Sequence, residues 1–237
     1  MSSSRPAGDE SIEIVVRHLY ASAVDIDSGQ ARWLAYRVLP DSVGVASLLP
    51  RRWLIDQLMT ASSQLDAEFS AGIQVIEPEY HNPEESSYLT SEIFFDSDDR
   101  GRLAPMTSFA GTPYWGELNY LSNMAPLPGA LVLGAWSRVD MAINEYAQRG
   151  AQLYVISGPI MAQEPAAGAA QPEGYFKLVS DGNISSAFLF DSNTRQHARY
   201  CDQLVALDEL QNKTGLDFFP GLNLPVSNQL NEELACY

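Results

Sequence analysis

The stretch that decides the fold lies between residues 98 and 147 and contains DDRGRLAPMTSFAG (98–111), YWGELNYLSNMAP (114–126) and GAWSRVDMAINEYA (134–147). In the last of these segments apolar residues recur at helical spacing, namely Trp136, Val139, Ile143 and Tyr146. Gly150 follows as a C-cap, so the sequence predicts a helix over 134–149. Residues 93–105 predict an apolar strand that runs into an acidic turn. A strand, a compact loop region and one long helix are therefore expected in this order.

Strand-like segments lie on both sides of this region. Residues 12–40 alternate apolar and polar residues with a β-branched bias, which predicts two strands joined by a DIDSGQ turn. Further strands are predicted at 152–160, 174–179 and 185–191, and a helix around 206–214 that ends at Gly215. Strands and helices do not alternate as βαβ units, so the expected fold class is α+β.

Composition bounds the number of domains and the classes of partner. With 237 residues, of which 46% are hydrophobic, one domain over 12–237 is expected after a disordered lead at 1–11. The formal net charge of -16 disfavours long-range attraction to nucleic acid and to membrane surfaces. No apolar run is long enough for a transmembrane helix, and the polar, acidic start lacks the apolar core of a signal peptide. The default expectation is a cytoplasmic protein.

The chain has two cysteines, Cys201 and Cys236, which lie too far apart in sequence for a CxxC redox or zinc motif. Two interpretations remain at this point. They form one disulfide that ties down the C-terminal tail, or they are two unrelated reduced thiols. A disulfide would favour an extracytoplasmic, processed form of the chain.

The segments quoted first resemble the DNA/RNA non-specific endonuclease family, whose members have the ββα-metal fold. The similarity continues through LYVISGPI, GYFKLV, AFLFDSNT and LDELQNKTGLDFFPGL and covers residues 12–236. Agreement of several separated, ordered segments is more specific than one short motif. The resemblance implies a central, mostly antiparallel sheet flanked by helices, magnesium-dependent hydrolysis of phosphodiester bonds, and a disulfide between Cys201 and Cys236.

The family motif departs from its pattern at the residue on which catalysis depends. The resemblance places a general-base histidine at the end of an Asp-Arg-Gly-His motif, and this chain has Arg102 there, preceded by Arg100. Imidazole accepts a proton near neutral pH, whereas guanidinium stays charged and has no lone pair to act as a base. Arg102 is therefore expected not to replace the histidine.

The metal site departs from the pattern as well. The position of the family's metal-binding asparagine falls on Val132, counted nine residues after Asn123 and four before the helix tryptophan. Magnesium requires hard oxygen donors, and valine has none. Asp140 occupies the place of the family's glutamate, which orients metal-bound water. We therefore expect no metal cofactor, or magnesium if the site has rearranged.

The phosphate-handling residues of the family are retained. The resemblance assigns phosphate contacts to Arg51, with Arg52 beside it, and to Arg100, and it places Asn123 in the site. Guanidinium groups bind phosphate oxygens through paired hydrogen bonds. The alternative for each arginine is an ordinary salt bridge, because acidic residues are close in sequence, namely Asp96, Asp98 and Asp99.

Two further expectations concern Arg102 and the histidines. Arg102 is expected to pair with Asp140 or Asp99, because a carboxylate left without its metal is costly to bury. The alternative is that the guanidinium of Arg102 binds an anion through paired hydrogen bonds beside Arg100. His18 fits a strand position in the first hairpin and is expected to be structural, and His81 is expected to be solvated.

Three functional hypotheses follow. The favoured one is a catalytically inactive pseudonuclease that retains the fold to bind a protein or an anionic ligand. The second is an active endonuclease that cleaves DNA and RNA, in which the acidic residues at 96–99 and Asp140 bind the metal by another route. The third is a nucleic-acid binder without cleavage, whose cationic pocket consists of Arg51, Arg52, Arg100 and Arg102.

Overall fold

The computed structural model describes residues 12–26, 29–51, 54–59, 101–161, 172–221 and 224–237. Its main feature is a seven-stranded sheet with the order β1-β2-β3-β6-β7-β8-β9, in which every pair of neighbours is antiparallel. The strands are β1 Ile12–Val16, β2 Tyr20–Asp25, β3 Ala31–Val38, β6 Leu153–Met161, β7 Pro172–Ser180, β8 Ser185–Asp191 and β9 Leu204–Val205. A two-stranded ladder of β4 Gly101–Arg102 and β5 Met124–Ala125 stands apart from the sheet. The α+β class and the mostly antiparallel sheet are confirmed.

The first hairpin differs from the prediction. Residues 12–40 contain three strands rather than two, because the chain reverses at residues 17–19, where the amide of Arg17 donates to the carbonyl of Tyr20 at 2.8 Å. No Gly, Pro or Asn marks this reversal in the sequence, which is why the alternating pattern hides it. The turn brings His18 to the surface instead of into a strand, so the expected strand position of His18 is wrong.

The interior strand β7, which lies between β6 and β8, is covered on both faces. Tyr175 and Val179 pack into the larger core with the long helix, while Phe176 and Leu178 pack into a second cluster with Leu210. Successive side chains of a strand point to opposite faces, so Lys177 shares a face with Tyr175 and Val179. A lysine in this position lies within the larger core, and its exposed fraction is 0%.

The long helix and its neighbours lie on these two faces. Helix α1 Ser137–Gln148 follows a short helical turn Gly129–Leu131 and a π-helical turn Val132–Trp136, and α2 is Leu207–Thr214. Both end as predicted: Gly150, with φ of 104°, follows α1, and Gly215, with φ of 69°, caps α2. The buried face of α1 includes Val139, Asp140 and Ile143. None of the described helices has the length and apolar character that a bilayer crossing requires.

The C-terminal segment contains an element that the sequence pattern did not indicate. Helix α3 Asn228–Glu233 begins at Ser227, whose hydroxyl accepts from the amide of Gln229. The segment is fastened to the 3₁₀ turn Tyr200–Gln203, which directly precedes β9, by the disulfide between Cys201 and Cys236 and by the Tyr200 hydroxyl, which donates to the Leu234 carbonyl at 2.7 Å. The predicted disulfide is thereby confirmed.

Candidate functional site

The motif segment enters the described structure at β4. Gly101 pairs with Ala125, and Arg102 pairs with Met124. A Cβ atom on Gly101 would lie 3.1 Å from Cγ2 of Val132. Val132, which the family pattern aligns with the metal ligand, therefore lies directly beside the motif strand.

The guanidinium of Arg102 is fixed by hydrogen bonds to a neighbouring loop. Its Nε donates to the Leu118 carbonyl at 3.1 Å, and a terminal nitrogen donates to Oδ1 of Asn119 at 2.7 Å. Both acceptors belong to the 3₁₀ turn Trp115–Asn119, which we call the 115–119 turn. Burial lowers the pKa of Arg102 to about 10, and the nearby positive charge of Arg51 contributes in the same direction. Arg102 thus remains a cation at neutral pH.

The two cations are linked through Asn119. Its side-chain nitrogen donates to the carbonyl of Pro50 at 3.3 Å, and Pro50 immediately precedes the exposed Arg51. Its oxygen receives the hydrogen bond from Arg102. One buried asparagine therefore positions both arginine-bearing segments, and the two positive charges share one region of the surface.

Asn123 is buried, and its side chain is used entirely within the fold. Its Oδ1 accepts from the Ala104 amide at 2.8 Å, while Nδ2 donates to the carbonyls of Ala104 at 3.1 Å and Leu118 at 3.0 Å. These bonds fasten the chain after the motif to the 115–119 turn. Asn123 acts as a backbone clamp for the site.

Asp140 forms an ion pair with Lys177 and not with Arg102. The ammonium donates to Oδ1 of Asp140, and its nitrogen lies 3.9 Å from the ring centroid of Trp136. The predicted pair between Arg102 and Asp140 is wrong, because Lys177 projects from β7 to the buried face of α1 and reaches the carboxylate first. Burial raises the pKa of Asp140, opposed by Lys177, and burial lowers the pKa of Lys177, opposed by Asp140.

Two buried polar atoms close to this pair lack a hydrogen-bond partner in the described part of the chain. They are the hydroxyl of Tyr36 and Nε1 of Trp136. Burial raises the pKa of Tyr36 well above its usual range, and the negative charge of Asp140 adds to the increase. The polar cluster therefore lies in a medium of low dielectric constant, where unpaired charges are costly.

The described residues do not fit a magnesium ion. Val132 supplies no oxygen, Oδ1 of Asn123 accepts from the backbone, and Asp140 is paired with Lys177. Within the ranges that the structure describes, no three His, Cys, Asp or Glu side chains are grouped so that they could hold a metal. The rearranged centre of the second hypothesis thus loses Asp140 as an available ligand.

Several predicted residues lie outside the described residues: Arg52, His81, Asp96, Asp98, Asp99 and Arg100. Of the others, Arg51 and Arg102 are brought together, with Asn123 behind the turn that holds them. Lys177 was missed, although a lysine inside the apolar run GYFKLV signals a buried cation that needs a partner. Glu117 and Asn119 were missed too, and no sequence signal marks them.

Comparison with known proteins agrees with this architecture. The sequence model of the DNA/RNA non-specific endonuclease family matches residues 5–224. A nuclease from Serratia marcescens is 29% identical over 231 residues, which cover 92% of this chain and 79% of that protein. The crystal structure of the EndoG/EndoGI complex contains a chain with a similar fold, with a TM-score of 0.62, 18% identity and coverage of 89% of this chain and 86% of that chain. The chain belongs to the DNA/RNA non-specific endonuclease family.

Proposed function

We propose that this chain is a non-cleaving member of its family that binds a phosphate-bearing anion through Arg51 and Arg102. The observation that carries the proposal is the fixed guanidinium of Arg102, the residue that stands where the resemblance implies a general-base histidine. A guanidinium with a pKa of about 10 has no basic lone pair at neutral pH and cannot take a proton from water. Cleavage by the family's route lacks its proton acceptor.

The arrangement of charges supports anion binding. Arg51 and Arg102 are close enough for the positive charge of Arg51 to lower the pKa of Arg102. Guanidinium is the side chain best matched to phosphate oxygens, and two guanidinium groups in one region offer several donors to one phosphate group. The body of the protein carries a net charge of -16, so attraction to the anion is local.

Cleavage is tested on plasmid DNA and on RNA with magnesium or manganese. The wild-type protein is expected to show no turnover above background. The double variant Arg102→His, Val132→Asn is assayed beside it and restores the imidazole and the side-chain oxygen that the family's chemistry uses, so turnover is looked for in this variant. The single variant Arg102→His is expected to stay inactive. Turnover of the wild type that EDTA abolishes and that co-purifies with the protein through a second column would refute the proposal.

Binding is tested by fluorescence anisotropy with a rhodamine-labelled octathymidylate, which presents several phosphodiester groups. Arg51→Gln and Arg102→Gln are each expected to weaken binding, and added salt is expected to weaken it further. The matched control is Arg149→Gln, because Arg149 is exposed and pairs with Glu233 on the C-terminal helix α3. Equal losses in all three variants would mean that only net charge matters.

A further inference from the structure

His18 lies in the turn between β1 and β2 and is held in a defined orientation. Its Nδ1 is 2.6 Å from Oε1 of Glu117, and its ring stacks on Tyr114 with centroids 4.1 Å apart and an interplanar angle of 6°. An ionised carboxylate only accepts hydrogen bonds, so Nδ1 is the donor. The other ring nitrogen, Nε2, has no partner among the described residues, and the side chain is 64% exposed.

This imidazole and the guanidinium of Arg102 are attached to the same short turn. Glu117 contacts His18, and the next two residues, Leu118 and Asn119, accept hydrogen bonds from Arg102. Consecutive Cα atoms are about 3.8 Å apart, so the Cα atoms of Glu117 and Asn119 lie within about 8 Å of each other. The side chain of Glu117 also accepts from the Leu19 amide at 3.3 Å, which fixes the His18 backbone to the turn.

We infer that His18 is a proton-dependent contact for a polyanion bound at Arg51 and Arg102, with the imidazolium binding a second phosphate group of the same ligand. The inference rests on the proposed function and adds a residue and a pH dependence to it. Glu117 holds the ring through Nδ1, so Nε2 is the atom that meets the ligand. Protonated, Nε2 donates to a phosphate oxygen; neutral, it carries a lone pair that an anion repels.

The groups around the ring define its charge environment. Glu117 and Tyr114 face it from the 115–119 turn and the residue before that turn. Arg17, its chain neighbour, is held by Asp56 and lies over the ring of Tyr120, at 3.9 Å from the centroid. The charge of Arg17 is thus compensated by Asp56, and Glu117 is the carboxylate that contacts the imidazole ring. Histidine is the side chain whose charge changes between pH 5 and pH 8, which sets the range to be measured.

The test compares affinities for rhodamine-labelled octathymidylate and dithymidylate between pH 5.5 and pH 8. Phosphodiesters and thymine do not titrate in this range, so a pH effect belongs to the protein. At pH 5.5 the wild type is expected to bind the octamer about 2- to 5-fold more tightly than the variant His18→Gln, which retains Glu117. At pH 8 the two proteins are expected to bind the octamer with equal affinity. Dithymidylate, with one phosphodiester, is expected to show no such difference.

Controls separate His18 from general charge effects. His18→Gln keeps a donor for Glu117, and His197→Gln removes another exposed histidine, so His197→Gln is expected to retain the wild-type profile. Glu117→Gln is expected to reduce the difference between the octamer affinities at pH 5.5 and pH 8, because the ring loses the carboxylate that orients Nε2. If Arg51→Gln and Arg102→Gln weaken binding but His18→Gln keeps the full pH dependence, this inference fails and the proposed function stands. If the octamer binds at no pH, both fail.

Discussion

Replacing Lys177 by methionine tests whether the buried ion pair stabilises the fold. Methionine has a similar length, so the change removes the charge and leaves Asp140 as a buried carboxylate without its cation. Removing one partner of a buried pair typically costs about 3–5 kcal/mol of unfolding free energy. For a protein of this size that corresponds to a decrease of roughly 6–20 °C in Tm. The loss of the contact between Lys177 and the Trp136 ring, at 3.9 Å, is included in this range.

The pH dependence of the loss has a definite sign. Burial already raises the pKa of Asp140, and Lys177 opposes the increase, so Lys177→Met raises the folded-state pKa further. Between the unfolded and folded pKa values the folded state then holds more protons, and the free energy of unfolding falls as pH rises. The deficit is therefore larger at pH 7 than at pH 5. Asp140→Asn should show the opposite slope as pH approaches the ordinary lysine pKa of about 10.4, because burial lowers the folded-state pKa of the unpaired Lys177 and the unfolded chain then holds more protons.

Urea denaturation followed by tryptophan fluorescence at pH 5, 7 and 9 measures these differences. The matched control is Lys213→Met, because Lys213 is the other lysine of the chain and is exposed. The double variant Lys177→Met, Asp140→Leu is expected to recover most of the loss, since it leaves no unpaired charge. A cost for Lys177→Met within about 1 kcal/mol of the Lys213→Met cost, or slopes of the same sign in the two single variants, would refute the reasoning.

Three other changes have defined outcomes. Replacing both Cys201 and Cys236 by alanine removes a disulfide with a sequence separation of 35 and is expected to lower the free energy of unfolding by about 3–4 kcal/mol. If the wild type denatures identically with and without reductant, this expectation is contradicted. Gly158→Ala places a Cβ against the backbone of β3 and should cost about 1–3 kcal/mol in thermal unfolding, whereas Gly116→Ala, with no atom within 4 Å, should cost far less. Arg102→Ala removes two hydrogen bonds to the 115–119 turn and should lower the free energy of unfolding by about 1–2 kcal/mol. The loss should be smaller at low salt if relief of the repulsion between Arg51 and Arg102 dominates. A Tm equal to that of the wild type would show that these bonds contribute nothing.

The elements that the sequence predicted well are those whose pattern is long and has marked ends. Strands β6, β7 and β8 and helices α1 and α2 are of this kind, and Gly150 and Gly215 end the two helices where expected. The reversal at residues 17–19 was missed because its residues carry no turn signal. Helix α3 was missed because six residues are too few for a helical period to stand out.

The roles of the candidate site residues stay predictions, and their contacts were only partly predictable from the sequence. Counting from Asn123 assigned Val132 to the metal-ligand position, which stays a prediction, and the structure adds that Val132 lies beside Gly101. The partner of Asp140 was wrong because Lys177 lies 37 residues further along the chain, and only the pairing of the sheet with α1 brings the two together. The role of Asn119, which joins Pro50 to Arg102, likewise depends on contacts between segments that are distant in sequence.

The buried position of Lys177 makes its chemical modification a measure of the global unfolding of the protein. Of the two lysines in the chain, Lys213 is exposed and Lys177 has no exposed surface. An amine-acylating reagent should therefore modify Lys213 in the folded protein at once, while Lys177 reacts only after the sheet and α1 separate. Mass spectrometry of the peptide that contains Lys177 would then follow global unfolding under native conditions, with Lys213 as the internal measure of reagent strength.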